Sequence, residues 1–198
     1  QFRSLGIPLR ATWDLRDDKL DPSKGFFISG VFMPYASAKD GAPGVYMFAD
    51  SRAYRSIGGD RVVAAGRFQI GSIVGPSIAE TQPDLLFLSG GGGTVRGQPY
   101  QSNFVTVSGN RSGGLSFVGL SGELRVKTTS TISAVAFYDA GFVGETSNFS
   151  GAGNWQAGAG LGIKYHTSIG PIRVDLGWPV SGDTSGGTQL YIGIGQAF

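Results

Sequence analysis

The chain has 198 residues, among them 34 glycines, 9 prolines, one histidine and no cysteine; 40% are hydrophobic, 15% are charged, and 16 basic against 14 acidic residues leave a net charge of +2. Glycine stands at more than twice its ordinary ~7% share and charge well below the usual ~25%, yet the glycines follow no period and proline is not abundant, which excludes collagen and low-complexity disorder. The missing cysteine excludes disulfides, thiolate nucleophiles and zinc–cysteine sites, the lone His166 excludes a multi-histidine metal centre, and the near-neutral balance gives no footprint for nucleic acid.

The length suits one domain. No apolar run nears the ~20 residues of a spanning helix; the longest lie around Leu85–Leu88 and Ala134–Tyr138. The opening Gln1-Phe2-Arg3 already reads as strand and lacks Met, so a removed signal or a longer parent protein is expected.

Period-two alternation runs through most of the chain. Leu5, Ile7, Leu9, Ala11, Trp13 and Leu15 alternate with Arg10, Thr12 and Asp14. Phe26–Tyr35 and Val45–Tyr54 are strand-like with ambiguous facing. Val62, Ala64, Phe68 and Ile70 then oppose Arg61, Arg67 and Gln69, and Val118, Leu120, Leu124 and Val126 oppose Phe117, Ser121, Glu123 and Arg125. Ile132, Ala134, Ala136, Tyr138, Ala140 and Phe142 face away from Ser133, Val135, Phe137, Asp139 and Gly141. The longest pattern sets Trp155, Ala157, Ala159, Leu161, Ile163 and Tyr165 against Gln156, Gly158, Gly160, Gly162, Lys164 and His166. Ile172, Val174, Leu176, Trp178 and Val180 oppose Arg173, Asp175, Gly177 and Pro179; finally Leu190, Ile192, Ile194 and Phe198 oppose Tyr191, Gly193, Gly195 and Ala197. The reading is nine strands of about 10–13 residues, twice the ~5–6 of an average strand.

Connectors fall into two sets. Arg16–Lys24, Gly58–Asp60, Lys127–Ser130 and Ser168–Gly170 are short; Ala38–Gly44, Gly75–Gly114, Gly144–Asn154 and Ser181–Gly187 are long or flexible. Short turns at one end and long loops at the other suit a transmembrane β-barrel. A soluble sandwich also alternates, but with shorter strands and a Lys- and Glu-rich outer face. Here the second face is small with isolated charges, which suits a crowded lumen, and Trp13, Trp155, Tyr165, Trp178 and Phe198 at strand tips suit an interfacial girdle. The fold class is therefore all-β, an antiparallel transmembrane β-barrel.

The segment 75–114 exceeds the ~12–15 residues of an ordinary loop and shows no convincing secondary structure. Its apolar Leu85-Leu86-Phe87-Leu88 is expected to fold back against the barrel. Enzyme chemistry finds no support, and no metal or cofactor is expected. Gly92-Gly93-Thr94-Val95-Arg96-Gly97-Gln98 lacks the Lys-Ser/Thr of a phosphate loop, and Asp17, Asp18 and Asp21 lack EF-hand spacing and read as turn caps. Asp183-Thr184-Ser185-Gly186 is a partial aspartic-protease match without a second copy, and His166 with Asp175 has no Gly-x-Ser-x-Gly elbow beside it.

Val95-Arg96-Gly97 after a glycine run resembles the signature loop of the outer-membrane insertase and secretion superfamily, the BamA/TamA-type surface-antigen barrels. Phe137-Tyr138-Asp139 is similar to that family's Phe-x-Asp strand motif, and Arg16-Asp17-Asp18 with Leu20-Asp21-Pro22-Ser23-Lys24-Gly25 to its short hairpin. Gly170-Pro171-Ile172-Arg173-Val174-Asp175 and the terminal Gly195-Gln196-Ala197-Phe198 complete a match in order along the whole chain. The glycine run, Tyr100 and the Gly-Pro-Ile-Arg strand look most like the TamA-type barrel of the translocation and assembly module. One departure is Gln98, where an aromatic usually follows Val-Arg-Gly.

The resemblance implies a sixteen-stranded barrel preceded by POTRA domains, of which 1–198 would be the C-terminal eight or nine strands without POTRA domains. Closure as a small barrel or dimerisation of two fragments would remove the open edges. The family's loop arginine enters the lumen and meets acidic residues; alternation places Glu123 and Asp139 opposite the apolar set, so Arg96 is expected to pair with Asp139 and then Glu123. The plain alternative is a surface arginine in a flexible loop. Gly193 and Gly195 weaken the last strand, and its Phe198 end resembles the family's assembly signal. The implied function is assembly of autotransporters or other β-barrel clients in a Gram-negative outer membrane by opening of a lateral seam. The implied partners are the lipid bilayer, nascent clients and a periplasm-spanning inner-membrane protein, with no nucleic acid. The alternative is a passive small barrel, a pore or structural anchor.

Overall fold

Alternation over ten or more residues becomes long antiparallel strands in the computed structural model, which describes residues 3–39, 42–59, 61–182 and 186–198. In chain order these are β1 (Arg3–Gly6), β2 (Leu9–Asp14), β3 (Gly25–Lys39), β4 (Gly44–Ile57), β5 (Val62–Val74), β6 (Val105–Val107), β7 (Asn110–Ser112), β8 (Ser116–Lys127), β9 (Ile132–Gly144), β10 (Gly153–Tyr165), β11 (Ile172–Ser181) and β12 (Gln189–Ile194). The main sheet is an up-and-down meander, β3-β4-β5-β8-β9-β10-β11-β12, with β1 and β2 both on the free side of β3. Strands β6 and β7 form a separate hairpin inside the long connection.

The expected first strand, Leu5–Leu15, is interrupted. Gly6 pairs with Tyr35 and Leu9 with Phe32, so one register runs through both halves. The break falls at Ile7-Pro8, because proline has no N–H to give to the ladder. The described chain thus fills nine strand positions, and the sheet is open, with β1/β2 at one edge and β12 at the other.

Register settles the two ambiguous strands. Phe27 pairs with Arg52 and Ser29 with Asp50, putting these on one face, while Phe26 and Ile28 point to the other. On that outer face Leu120, Leu124, Tyr138, Leu161, Ile163, Leu176, Trp178 and Ile192 are all exposed. The inner face is covered, and its residues are buried whether apolar or charged. Strands of 10 to 15 residues in β3–β5 and β8–β11 meet the ~9–11 residues a tilted strand needs to cross a bilayer. An apolar, solvent-exposed outer face on such strands is the arrangement of a membrane barrel wall.

The sheet curls strongly. Residues after β12 reach β4, where the Tyr54 hydroxyl donates to the Phe198 carbonyl at 2.8 Å and the two rings stack at 6.5 Å. The turn between β2 and β3 reaches under the inner face, where Lys164 on β10 donates to Asp21 at 2.6 Å. That turn is held by its own carboxylates: Asp17 accepts the N–H groups of Asp18, Ser23 and Lys24, and Asp18 those of Leu20 and Asp21. Burial raises the Asp17 pKa, but the Ser23 hydroxyl and these backbone donors outweigh it and hold the carboxyl below its usual value.

The long connection is folded rather than structureless. It holds two 3-10 turns, Ile78–Glu80 and Pro83–Leu85, and the β6–β7 hairpin. Phe87 exchanges both backbone hydrogen bonds with Gly114 and stacks on Tyr46 and Phe117 at 5.3 and 6.0 Å. With Tyr35, Ile73, Val105, Leu115 and Val143 it forms the apolar core at the long-loop end of the inner face.

The outer face yields a direct test. Leu161 lies mid-strand, 59% exposed, and in water Leu161→Arg would be near neutral. In a bilayer it should destabilise by about 2–4 kcal/mol, read as a shifted urea midpoint for folding into lipid vesicles.

Candidate functional site

The chain below Phe87 descends along the inner face. Ser89 and Asn103 exchange backbone hydrogen bonds, and Asn103 Nδ2 donates to the carbonyls of Gly141 and Asn154 at 3.1 Å each. Between these anchors a compact turn forms, with the Gly91 N–H donating to the Val95 carbonyl at 3.0 Å and the Gly90 N–H to Thr94 Oγ1 at 2.8 Å. Val95 is fully buried, and its tip neighbours Arg96 and Gly97 lie on the wall of β9, β10 and β11.

Three glycines on the inner face of β10 make room for this tip. A Cβ at Gly158 would collide with the Arg96 carbonyl, one at Gly160 with the Phe137 ring, and one at Gly162 with the Asp175 carboxylate. Gly177 on β11 has the Gly97 backbone against it. Gly97 itself has φ +90° with the Trp178 backbone pressed against the place of a side chain, so only glycine fits.

Arg96 is the centre of the site. Its Nε and Nη2 bind Asp139 Oδ2 and Oδ1 at 2.7 and 3.0 Å, and its backbone N–H donates to Asp139 Oδ2 at 3.0 Å. Nη1 donates to Glu123 Oε2 at 2.9 Å and to Asp175 Oδ2 at 3.4 Å. The guanidinium lies 3.7 Å above the Phe137 ring, with Phe198 5.9 Å away. Burial alone would lower the Arg96 pKa; the Asp139 and Glu123 bonds and charges outweigh it and raise it.

Glu123 is shared by three arginines. Oε1 accepts from Arg125 Nε at 2.6 Å and Arg173 Nη1 at 2.9 Å; Oε2 accepts from Arg173 Nη2 at 2.7 Å as well as from Arg96. Arg173 Nε also binds Asp175. Three cations from the loop, β8 and β11 thus meet three carboxylates from β8, β9 and β11, all at most 5% exposed. Such a group holds its members in place.

Of the residues singled out in the sequence, Val95, Arg96, Gly97, Phe137, Asp139 and Glu123 come together here. Tyr100 does not; it is 79% exposed, and Gln98 is the buried neighbour instead, its Nε2 donating to the carbonyls of Ala157 and Ser181 at 2.6 and 3.0 Å. Phe198 does not continue the outer row of Leu190, Ile192 and Ile194. Strand β12 stops at Ile194, Gly195 turns with φ +90°, and Phe198 is buried inside. Gly193, on the inner face of β12 opposite Arg173, has open space around it. Asp183-Thr184-Ser185 lies outside the described residues. His166 and Asp175 are apart in their partners: His166 meets Asp21 and Ser133, Asp175 meets the arginines.

Alternation puts Arg125, Arg173 and Asp175 on the inner face, but nothing in the sequence signals that they join the group around Arg96 and Glu123. Tyr191 is a further site residue: its hydroxyl accepts the Gly97 N–H at 2.9 Å and donates to the Gln98 carbonyl at 3.4 Å, tying edge strand β12 to the loop tip. An inward tyrosine among glycines was its only signal.

Among solved structures the chain is similar to BamA from Haemophilus ducreyi lacking POTRA domains 1–3, with a TM-score of 0.71 and 15% sequence identity. The similarity covers 94% of this chain and 40% of that one, so the chain spans about two fifths of the length of the protein it resembles. That likeness concerns the fold, an open run of barrel wall. Residues 2–198 match the Omp85 superfamily domain from end to end, and the chain belongs to the Omp85 superfamily.

Proposed function

We propose that this chain is barrel wall of an outer-membrane insertase, which assembles β-barrel clients in a Gram-negative outer membrane by letting a client strand pair with the β12 edge. The observation that carries the reading is the link between that edge and the loop. Among the described residues β12 pairs with β11 over six residues and with no other strand. Its Tyr191 holds the tip whose Arg96 is bound to β8, β9 and β11.

An unpaired edge in hydrocarbon is costly, since each unsatisfied backbone group is worth several kcal/mol. An incoming strand that satisfies those groups is stabilised by the same amount, which is the basis of β-augmentation. In this reading the ion cluster keeps the wall rigid from β8 to β11, and β12 is the element free to move. The mechanism is mechanical and assigns no covalent step. A passive pore or anchor would not depend on the position of the loop, and this separates the two readings.

The test uses the intact protein in lipid vesicles with a urea-unfolded client barrel, scored by client insertion over empty vesicles. Arg96→Met leaves Asp139 without its guanidinium and should destabilise the docked loop by roughly 3–5 kcal/mol. Limited proteolysis between residues 86 and 104 should accelerate and insertion should fall to the level of empty vesicles. Insertion at the unaltered rate with a demonstrably released loop would sink the proposal. Gly158→Ala should release the loop equally, with every charge retained, because its methyl group occupies the place of the Arg96 carbonyl.

Tyr191→Phe separates the edge from the loop. It leaves the Gly97 N–H without its partner while the Arg96 bonds remain. Hydrogen exchange should quicken in residues 189–194 and at Gly97, with the amides of β8 and β9 unchanged.

A further inference from the structure

The glycine run ahead of Arg96 has a second hold that lies outside the ion cluster. Gly90 to Gly93 are four consecutive glycines, with Gly90 at φ +109° and Gly91 at +88°. Glycine loses more backbone freedom on ordering than any other residue, so such a run stays in place only where something grips it. Packing does not grip Gly93. It is exposed, and beyond its chain neighbours no atom lies within 4 Å of where a Cβ would stand. Its carbonyl instead accepts a hydrogen bond at 3.0 Å from Arg67 Nη1 on β5. A Cβ on the adjacent Gly92 would meet the Tyr191 ring of β12 at 3.1 Å. Two neighbouring residues thus touch β5 and β12, strands that have β8, β9, β10 and β11 between them in the sheet.

The Arg67 guanidinium is fixed from its other side. Its Nε and Nη2 bind Asp50 Oδ1 and Oδ2 at 2.9 and 2.8 Å, a bidentate pair that sets the plane of the fork. Nη1 is the arm left over, and it is the one that reaches the loop. Arg52 lies directly opposite Arg67 in the β4–β5 register, and like charges so placed repel. Asp50 answers both. It also accepts from Arg52 Nη2 at 2.7 Å, while Arg52 rests on the Phe27 ring at 4.8 Å. Arg52 therefore shares the carboxylate, but its bonds among the described residues do not include the loop.

We propose that Arg67, fixed by Asp50, is a positioning residue for the loop: it braces the glycine run from β5, so that the run bears on Tyr191 and holds β12 in place. The tip is then gripped from three sides, by β5, by the ion cluster of β8, β9 and β11, and by β12. What this means for client strands rests on the insertase reading; the placement of the loop does not.

Arg67→Lys keeps the charge beside Asp50, but a compact ammonium has no fork to span both Asp50 and Gly93. Arg67→Met removes the donors altogether. Asp50 still has Arg52 in both variants, so folding should be retained, which circular dichroism checks. Hydrogen exchange is followed on the intact protein in lipid vesicles. It should quicken about tenfold across residues 91–95 in both variants, the scale of losing one hydrogen bond from a charged donor. Residues 189–194 should quicken as well, with β9 unchanged. Arg52→Met removes a partner of the same carboxylate and should leave both segments as they are. An ion pair that merely stiffens the wall would be restored by lysine and disturbed equally by Arg52→Met. Either result overturns the proposal, as does unaltered exchange at either segment in Arg67→Met. Client insertion is scored on the same samples. Slower insertion with a loosened run supports the brace and the insertase reading together, whereas a loosened run with insertion at the unaltered rate supports the brace and counts against that reading.

Discussion

The Glu123 carboxylate is the constraint on which the inner face depends. It is fully buried and accepts from three arginines that come from the loop, β8 and β11. Removing any one ion of such a group leaves others uncompensated in a medium where the effective penalty is several kcal/mol per ion. The balance of three guanidinium groups against three carboxylates therefore fixes more than one contact. It requires the loop tip, β8, β9 and β11 to be in register at once. The glycine row of β10 follows from the same requirement, because the strand in the middle of the group has to offer room rather than side chains.

A net attraction of this kind also explains why a 40-residue connection is not free. Its apolar part is held by ring stacking around Phe87 at one end, but hydrophobic contact is non-directional and would tolerate sliding. The bidentate Arg96–Asp139 pair and the Asn103 bonds to two carbonyls are directional. They set where the tip sits to within a hydrogen bond. Phe137 beneath the guanidinium adds a planar seat for it.

Much of the wall was legible in the sequence because β periodicity assigns a face residue by residue. Nine strand positions, the apolar outer rows and the inward Glu123, Asp139, Arg173 and Asp175 all follow from counting by twos. The superfamily followed from Val95-Arg96-Gly97 and its companions. What alternation cannot supply is a partner across the lumen: Asp21 and Lys164 lie 143 residues apart, and Arg125 looked like any inward arginine. Alternation also runs on through places where the backbone changes course. Pro8 interrupts the first strand's ladder, and Gly195 at positive φ sends Phe198 inward although counting by twos puts it outside. Proximity in sequence groups Tyr100 with the loop motif, but a tight turn puts Gln98 in the buried place instead.

The two ends of the inner face differ in what holds them, and this bears on which part can move. At the long-loop end an apolar cluster joins the loop to β3, β5, β8 and β9. In the middle, charges join it to β8, β9 and β11. β12 takes part in neither; beyond its six pairs with β11 it is held by Tyr191 and by the tail that follows it, where Phe198 meets Tyr54 and Gln196 donates to the Lys19 carbonyl at 3.2 Å. The last strand thus touches both the loop, through Tyr191, and the β2–β3 turn, through Gln196. In the proposed opening, a strand fixed by a tyrosine hydroxyl and a tucked tail would leave without breaking the ion cluster, and β8 to β11 would keep their register.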